Sequence, residues 1–411
     1  MNDRRYRTLL VITHPVQYIA PTLRLLAVRR EIDLLVAYCS LVGSQSTLDP
    51  DFGVKVAWDV PVLEGYSWVH VPNISPEPGL AGFFGLLNPG LWKTIRSGGF
   101  DVVINLTSYI HASFWITVAA TKVQTVPLLL GMDATQIAPL DGKKWKLGIK
   151  RALWPRLYGL ADVVVVPSSG GVSLMRSLGI PAERVVQTAH SVDNAWWADQ
   201  ASKVDRRVVR GSWNIPESAA VVLFCGKLQP WKRPHDALRA FARSSVEGSY
   251  LVFAGDGPLR TDLEAEAHTL GIAHSVRFLG FVNQSNLPAV YRSSDVLVLP
   301  SEYEAFGLVV NEAMLCGCPV IVSDRVGARF DLVREGETGF IFPVASVDAL
   351  TALLYENLTT RSRLNQMANA AQEQMKGWSP EKNVEGLIEA ILRAVRLREG
   401  SQTAISEELS D

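Results

Sequence analysis

Two open α/β domains in tandem, each a parallel sheet covered by helices, are the architecture this chain predicts. Three observations point to it. At 411 residues the chain is too long for one ordinary core and suits two domains of roughly 200 residues each. Short apolar runs, of the kind buried on both faces of a sheet, alternate with segments of helical period. The alternation occurs twice, on either side of a polar stretch with little periodicity.

In the first half, residues 9–13 form an apolar strand, 21–28 a helix and 32–38 a second strand. Residues 102–106, 124–130 and 162–166 continue the strands. A second series begins near Ala220, with a strand at 221–225 and part of a helix at 236–242. Strands at 250–254, 276–279, 296–299 and 320–322 follow. Parallel strands need crossovers, and the helical segments supply them.

The boundary falls within residues 194–219, where the charged run Arg206-Arg207-Val208-Val209-Arg210 precedes Gly211 and Pro216. The predicted division is a first domain at 1–195, a linker at 196–215 and a second domain at 216–378. A late amphipathic helix at 379–398 is expected to pack back toward the first domain, and 399–411 reads as a polar tail.

Composition excludes several classes. A formal net charge of −1 gives no footprint for nucleic acid. Residues 8–12 are apolar but far too short to span a bilayer, and they run into His14-Pro15. Cys39, Cys225, Cys316 and Cys318 make no disulfide framework, and Cys316-x-Cys318 lacks the second pair of a zinc site. The expected setting is a reducing cytoplasm.

The most informative segment is 296–313. Its apolar run stops at Pro300-Ser301, passes an acidic loop with Glu304, and reaches Gly307 at the start of a helical pattern that contains Glu312. The first amides of a helix have no intrahelical partner, so the N–H groups of Leu308 and Val309 can bind a phosphate or a sugar hydroxyl. Glu312 lies a little over one turn into the helix and can accept two hydrogen bonds from a ribose. Glu304 approaches from the preceding loop. Lys227 and Lys232 follow the first strand of the second half, in Gly226-Lys227-Leu228-Gln229-Pro230-Trp231-Lys232. Five positions apart they do not share a helix face, but in a loop crowning a strand both can converge on a diphosphate. Gly255, in Gly255-Asp256-Gly257-Pro258, is either an ordinary tight turn or a place where a ligand nears the backbone.

The first half supplies acceptor-side candidates after its strands: His14, Gln17 and Tyr18, then His111, then Asp133 in Gly131-Met132-Asp133. His111 is the candidate for contacting the transferred group or the acceptor. His190 and Asp193 precede the linker and read as hinge residues.

With these residues in view, the chain resembles the retaining, nucleotide-sugar-dependent glycosyltransferases of family 4. The likeness spans roughly residues 5–395 and is strongest from Gly226 to Phe342. The resemblance implies a GT-B fold, two Rossmann-like domains facing across a cleft. It carries the family's glutamate pair onto Glu304 and Glu312, and its basic pair onto Lys227 and Lys232, although the first is more often arginine. It implies that the leading glutamate meets the transferred sugar, the second the ribose, and that the basic pair and helix-start amides hold the diphosphate. His111 is the match for an acceptor-domain histidine. The family's glycine-rich loop near the first strand is replaced here by His14-Pro15-Val16-Gln17-Tyr18. The implied reaction moves a sugar from a nucleoside-diphosphate sugar to a hydroxyl acceptor with retention, without a metal or other cofactor; Asp49-Pro50-Asp51 sits in an early loop. A nucleotide-sugar epimerase or hydrolase of the same shape, a phosphorylase, and a silent nucleotide-sugar-binding scaffold are the alternatives. The sequence indicates neither the donor sugar nor the oligomeric state.

The acceptor is expected to be a sugar, a small molecule or a lipid-linked hydroxyl, in polysaccharide or glycolipid synthesis. The apolar loop 79–87 and the basic segment from Lys143, Lys144 and Lys146 to Arg156, with Trp145 and Trp154 interleaved, can together touch an anionic inner membrane face.

Overall fold

β-Branched and leucine-rich runs, buried on both faces, set the strands. In a computed structural model, which describes residues 4–44, 47–49, 54–56, 58–137 and 144–408, they are β1 (Tyr6–Ile12), β2 (Ile32–Tyr38), β3 (Thr47–Asp49), β4 (Val54–Val56), β5 (Trp68–His70), β6 (Val102–Asn105), β7 (Leu128–Gly131), β8 (Val163–Val166) and β9 (Val185–Gln187). The later strands are β10 (Ala220–Cys225), β11 (Ser249–Ala254), β12 (Val276–Gly280), β13 (Val296–Leu299), β14 (Val320–Ser323) and β15 (Gly339–Phe342). All four residues of β6, β8, β13 and β14 are buried, as strands covered on both faces must be.

The chain separates into two compact units. The first comprises Met1–Gln45, Pro61–His190 and Pro380–Asp411; the second comprises Ser46–Val60 and Ser191–Ser379. The first unit carries a seven-stranded sheet in the order β5-β2-β1-β6-β7-β8-β9, and the second a six-stranded sheet in the order β12-β11-β10-β13-β14-β15. The pairings within both are parallel, as predicted. Each order reverses once, between β1 and β6 and between β10 and β13. A crevice opens at such a reversal, at the carboxyl ends of the strands, and ligands of open α/β sheets bind there. The antiparallel β3–β4 pair belongs to the second unit, where the neighbouring Asp59 carboxylate accepts from the Ser285 amide at 3.2 Å.

Several boundaries differ from the sequence expectation. Residues 124–127 precede β7 rather than begin it: Gln124 ends a helix, Thr125 takes a φ of +54° and Pro127 has no amide to donate. The stretch expected as a linker is helical, with helices at Asn194–Ser202 and Arg206–Ser212. Aspartates cap both: Asp193 accepts from the Trp196 amide at 3.1 Å, and Asp205 from the Arg207 amide at 2.9 Å. The charged run is anchored rather than solvated, because Arg206 and Arg210 reach the Asp295 carboxylate at 2.6 and 2.9 Å. Residues 399–408, expected as a polar tail, continue the last helix, Pro380–Glu408, and no proline interrupts them. That helix lends Val384, Leu387, Ile388, Ile391 and Val395 to the core over β1, β2 and β6 of the first unit.

Candidate active site

Two loops of the second unit meet at its reversal point. The loop after β10 leaves through Gly226 and closes into a 3-10 turn at Pro230–Lys232; Arg233 follows in the left-handed region, at a φ of +52°. The loop after β13 carries Glu304 and ends at Gly307, ahead of the helix Val309–Leu315. The Glu302 amide donates to the Trp231 carbonyl at 2.7 Å. Lys232 Nζ donates to Glu304 Oε2, with both side chains partly buried. The structure thus brings together two of the residues that the sequence singles out, seventy-two positions apart.

Glu304 is held from behind. Its amide donates to the Arg325 carbonyl at 3.3 Å, and its carbonyl accepts from Gly327 at 3.0 Å. Gly307 has a φ of +96°, and a Cβ there would lie 3.0 Å from Glu304 Cγ and 3.1 Å from Val326 Cγ1. Only glycine fits without displacing the carboxylate. Leu308 occupies the N-cap position and Val309 the first turn, so their amides stand at the helix start beside this loop.

Glu312 faces Tyr291, whose hydroxyl donates to Oε2 at 2.7 Å. The same fully buried hydroxyl lies 3.2 Å from Sγ of Cys225, the last residue of β10. Burial pushes the Glu312 carboxyl up to about 7, against the opposing effect of the Tyr291 hydrogen bond. Tyr291 was not singled out in the sequence, where one tyrosine in a short helix carries no pattern. Lys227 lies partly buried on the same loop as Lys232.

Gly255 is explained by its neighbour. At a φ of +143°, its Cβ would come within 2.0 Å of the Gly226 carbonyl oxygen. Close approach of two loop backbones demands glycine there.

The first unit sets its candidates around its own reversal point. Thr13 Oγ1 and His14 Nδ1 are 2.9 Å apart, and burial lowers the His14 pKa. Gln17 is half-buried in the same turn. The Tyr18 ring meets His190 edge-on at 5.6 Å between centroids. Asp133, exposed after β7, is close enough to favour the protonated forms of both. Burial outweighs that charge at His190 and lowers its pKa. His190, read as a hinge residue, therefore stands with Tyr18 and Asp133 among the acceptor-side candidates, whereas Asp193 is a helix cap.

His111 begins the Ala112–Val123 helix and is only 3% exposed. Its Nδ1 lies 3.1 Å from the Gly82 carbonyl, which can only accept, so Nδ1 carries the proton. Burial lowers its pKa. It is tucked under the 79–87 loop.

Asp49-Pro50-Asp51 lies outside the described side chains. Among the described residues no group of three or more metal-ligating side chains gathers. The four cysteines are buried free thiols.

Two parallel sheets flanked by helices, with an acidic loop and a basic loop at the second reversal point, define a GT-B glycosyltransferase. Residues 205–374 match the family model described as Glycosyl transferases group 1, and residues 53–190 match the Glycosyl transferase 4-like domain. The protein is thus a GT-B glycosyltransferase related to the group 1 and 4-like families. It is 28% identical over 301 residues to an uncharacterized glycosyltransferase of Methanocaldococcus jannaschii, covering 71% of this chain and 76% of that one. It is 35% identical over 230 residues to the D-inositol 3-phosphate glycosyltransferase 2 of Catenulispora acidiphila, covering 53% of this chain and only 50% of that enzyme. Among solved structures, Anabaena HepE in complex with UDP and glucose superposes with a TM-score of 0.70 at 19% identity, over 94% of this chain and 99% of that one. The sucrose-phosphate synthase of Thermosynechococcus elongatus gives 0.65 at 17% identity, over 98% and 100%. At these identities the likeness is one of fold.

Proposed function

We propose that the protein transfers a sugar from a nucleoside-diphosphate sugar to a hydroxyl acceptor with retention of anomeric configuration, in polysaccharide or glycolipid synthesis in the cytoplasm. The observation that supports this most is the Lys232–Glu304 pair beside Gly307 and Glu312, at the reversal point of the second sheet. Lys227, Lys232 and the amides of Leu308 and Val309 hold the diphosphate. Their charge and dipoles stabilise the leaving group as the bond from anomeric carbon to phosphate oxygen breaks. Glu304 faces the transferred sugar, where positive charge develops. Glu312 takes the ribose hydroxyls. The acceptor oxygen bonds to the anomeric carbon, and its proton leaves with the diphosphate or to solvent. His14, Gln17, Tyr18 and Asp133, with His190, are the acceptor-side groups. His111, pinned to Gly82, acts on the acceptor side through the loop it holds. No step calls on a metal, because the cationic side chains and helix-start amides do that work.

The test is a mass-spectrometric screen of the purified protein against a panel of nucleotide sugars, reading bound donor and slow hydrolysis. The Anabaena protein holds UDP and glucose, which places UDP-sugars first in the panel. An α-linked donor should give an α-linked product by proton NMR, and a chelator should leave activity intact. A β-linked product, or complete dependence on a divalent ion, overturns the retaining, metal-free mechanism. Turnover of donor at an equal rate with and without acceptor would favour the hydrolase.

A further inference from the structure

The Lys144–Gly159 helix leaves an apolar stripe uncovered. Trp145, Ile149 and Leu153 recur every four residues, hence on one face, and are 63%, 52% and 38% exposed. The other face is occupied, since Trp154, Leu157 and Tyr158 are buried in the first unit's core. Lys146, Lys150 and Arg156 border the stripe, Arg151 stands on another side of the same helix, and the helix contains no acidic residue. The Lys143 residue and the Lys144 side chain lie outside the described residues.

A second apolar element stands nearby. In the turn Phe83–Gly85 the two phenylalanines meet edge-on, 5.0 Å between centroids, and Phe84 is 61% exposed. The segment after β6 joins both elements. Trp154 Nε1 donates to the Tyr109 hydroxyl at 3.3 Å, His111 holds Gly82, and between them Ile110 is exposed. The helix that carries the stripe, the turn and Ile110 therefore flank one loop at the carboxyl ends of the first unit's strands.

We infer that the first unit docks peripherally on an anionic bilayer through this patch. An apolar stripe on a helix that carries cations and no acid suits a surface of negative headgroups over hydrocarbon. A second copy suits it less: a self-complementary contact would set this helix's cations against one another, with no acid in it to answer them. Among the described residues no helix is long and apolar enough to cross a membrane, so the contact is superficial. The transferase activity proposed above, on which this last step rests, then finds its acceptor hydroxyl on a membrane lipid, presented at the loop after β6.

Sedimentation of the whole protein with vesicles tests the docking without reference to any donor. With phosphatidylcholine vesicles containing phosphatidylglycerol, at low salt, the protein should pellet. With phosphatidylcholine alone, or at high salt, it should stay in the supernatant. Each surface cation should contribute about fivefold to partitioning, so Lys146→Glu, Lys150→Glu and Arg151→Glu together should lower it at least about 100-fold. Trp145→Ser with Ile149→Ser should lower it as well, with melting temperature unchanged; should that pair unfold, Phe84→Ser on the separate turn is the substitute. Three results would overturn the inference: a wild type that stays soluble over the anionic vesicles, equal binding to both lipids, or apolar substitutions that dissociate a dimer while vesicle binding is nil. Vesicle binding in a protein that turns over no nucleotide sugar supports the docking surface and removes the transferase proposal instead.

Discussion

Lys232 forms an ion pair with Glu304. A diphosphate competes with Glu304 for the ammonium, and the charged hydrogen bonds it gains should be worth about 1.5–3 kcal/mol. Lys232→Ala is therefore expected to weaken nucleoside-diphosphate binding roughly 10–150-fold by titration calorimetry, and Lys227→Ala to act in the same direction. Unchanged affinity in both variants would remove the basic pair from the site. Glu304→Gln should lower turnover more than nucleotide affinity, whereas Glu312→Ala should weaken the nucleotide itself; steady-state kinetics and calorimetry on the two variants separate these effects. Glu312 also sets a pH dependence. Its carboxyl is raised from 4.5 to about 7, so between those values the folded protein keeps a proton that the unfolded chain has lost. Stability should thus fall as pH rises through that window, and Glu312→Gln should flatten the slope in thermal melts. Nucleotide affinity should move the opposite way, tightening as pH rises through about 7, because the ionised form accepts both ribose hydroxyls. Affinity that is flat across that range would disconnect Glu312 from the ribose.

At the scale of elements, the acidic loop is rigid because its backbone is bound to the loop after β14 and its exit is a glycine no other residue replaces cheaply. Gly307→Ala places a Cβ against Glu304 Cγ in a left-handed conformation. It should cost about 1–2 kcal/mol in a denaturant titration and lower turnover by moving the carboxylate. A variant as stable and as active as the wild type would show that the loop relaxes freely. The same scale explains what could be read in advance. β1, β10 and β13 were legible because each is a contiguous apolar run buried on both faces. β5 and β9 are three-residue edge strands, too short to show a period. The Asn194–Ser202 and Arg206–Ser212 helices were missed because the charges of 206–210 look solvated until Asp295 is found 85 positions beyond Arg210. Glu304, Glu312 and the two lysines could be picked out from strand ends and a glycine-led helix. Tyr291 could not, because its part depends on burial between Cys225 and Glu312, 66 and 21 positions away. His111 was legible as a residue in the right loop; that it would turn inward to Gly82 was not.

Across the whole molecule, the Pro380–Glu408 helix matters more to the first unit than its place in the sequence suggests. Its apolar face closes the core over β1, β2 and β6, and Gly386 sits so near β9 that a Cβ would lie 2.5 Å from the Gln187 carbonyl. Ending the chain after Ser379 should uncover that core and unfold the first unit, while the second, of which those residues form no part, keeps its strands and its nucleotide affinity. Limited proteolysis with and without a nucleoside diphosphate would show it. A truncated chain whose first unit resists protease as well as the intact one would mean that the helix is dispensable.

The order of synthesis follows from that placement. A ribosome releases the segments of the first unit at both ends of its work, and the whole of Ser191–Ser379 in between. Lys227, Lys232, Glu304 and Glu312 can therefore reach their final geometry while the earlier strands still wait for the last helix to emerge. During that interval Leu10, Ile12, Val102 and Ile104, all buried in the finished protein, lack their cover. The nascent protein passes through a stage in which its second unit is complete and its first unit is the part most in need of a chaperone.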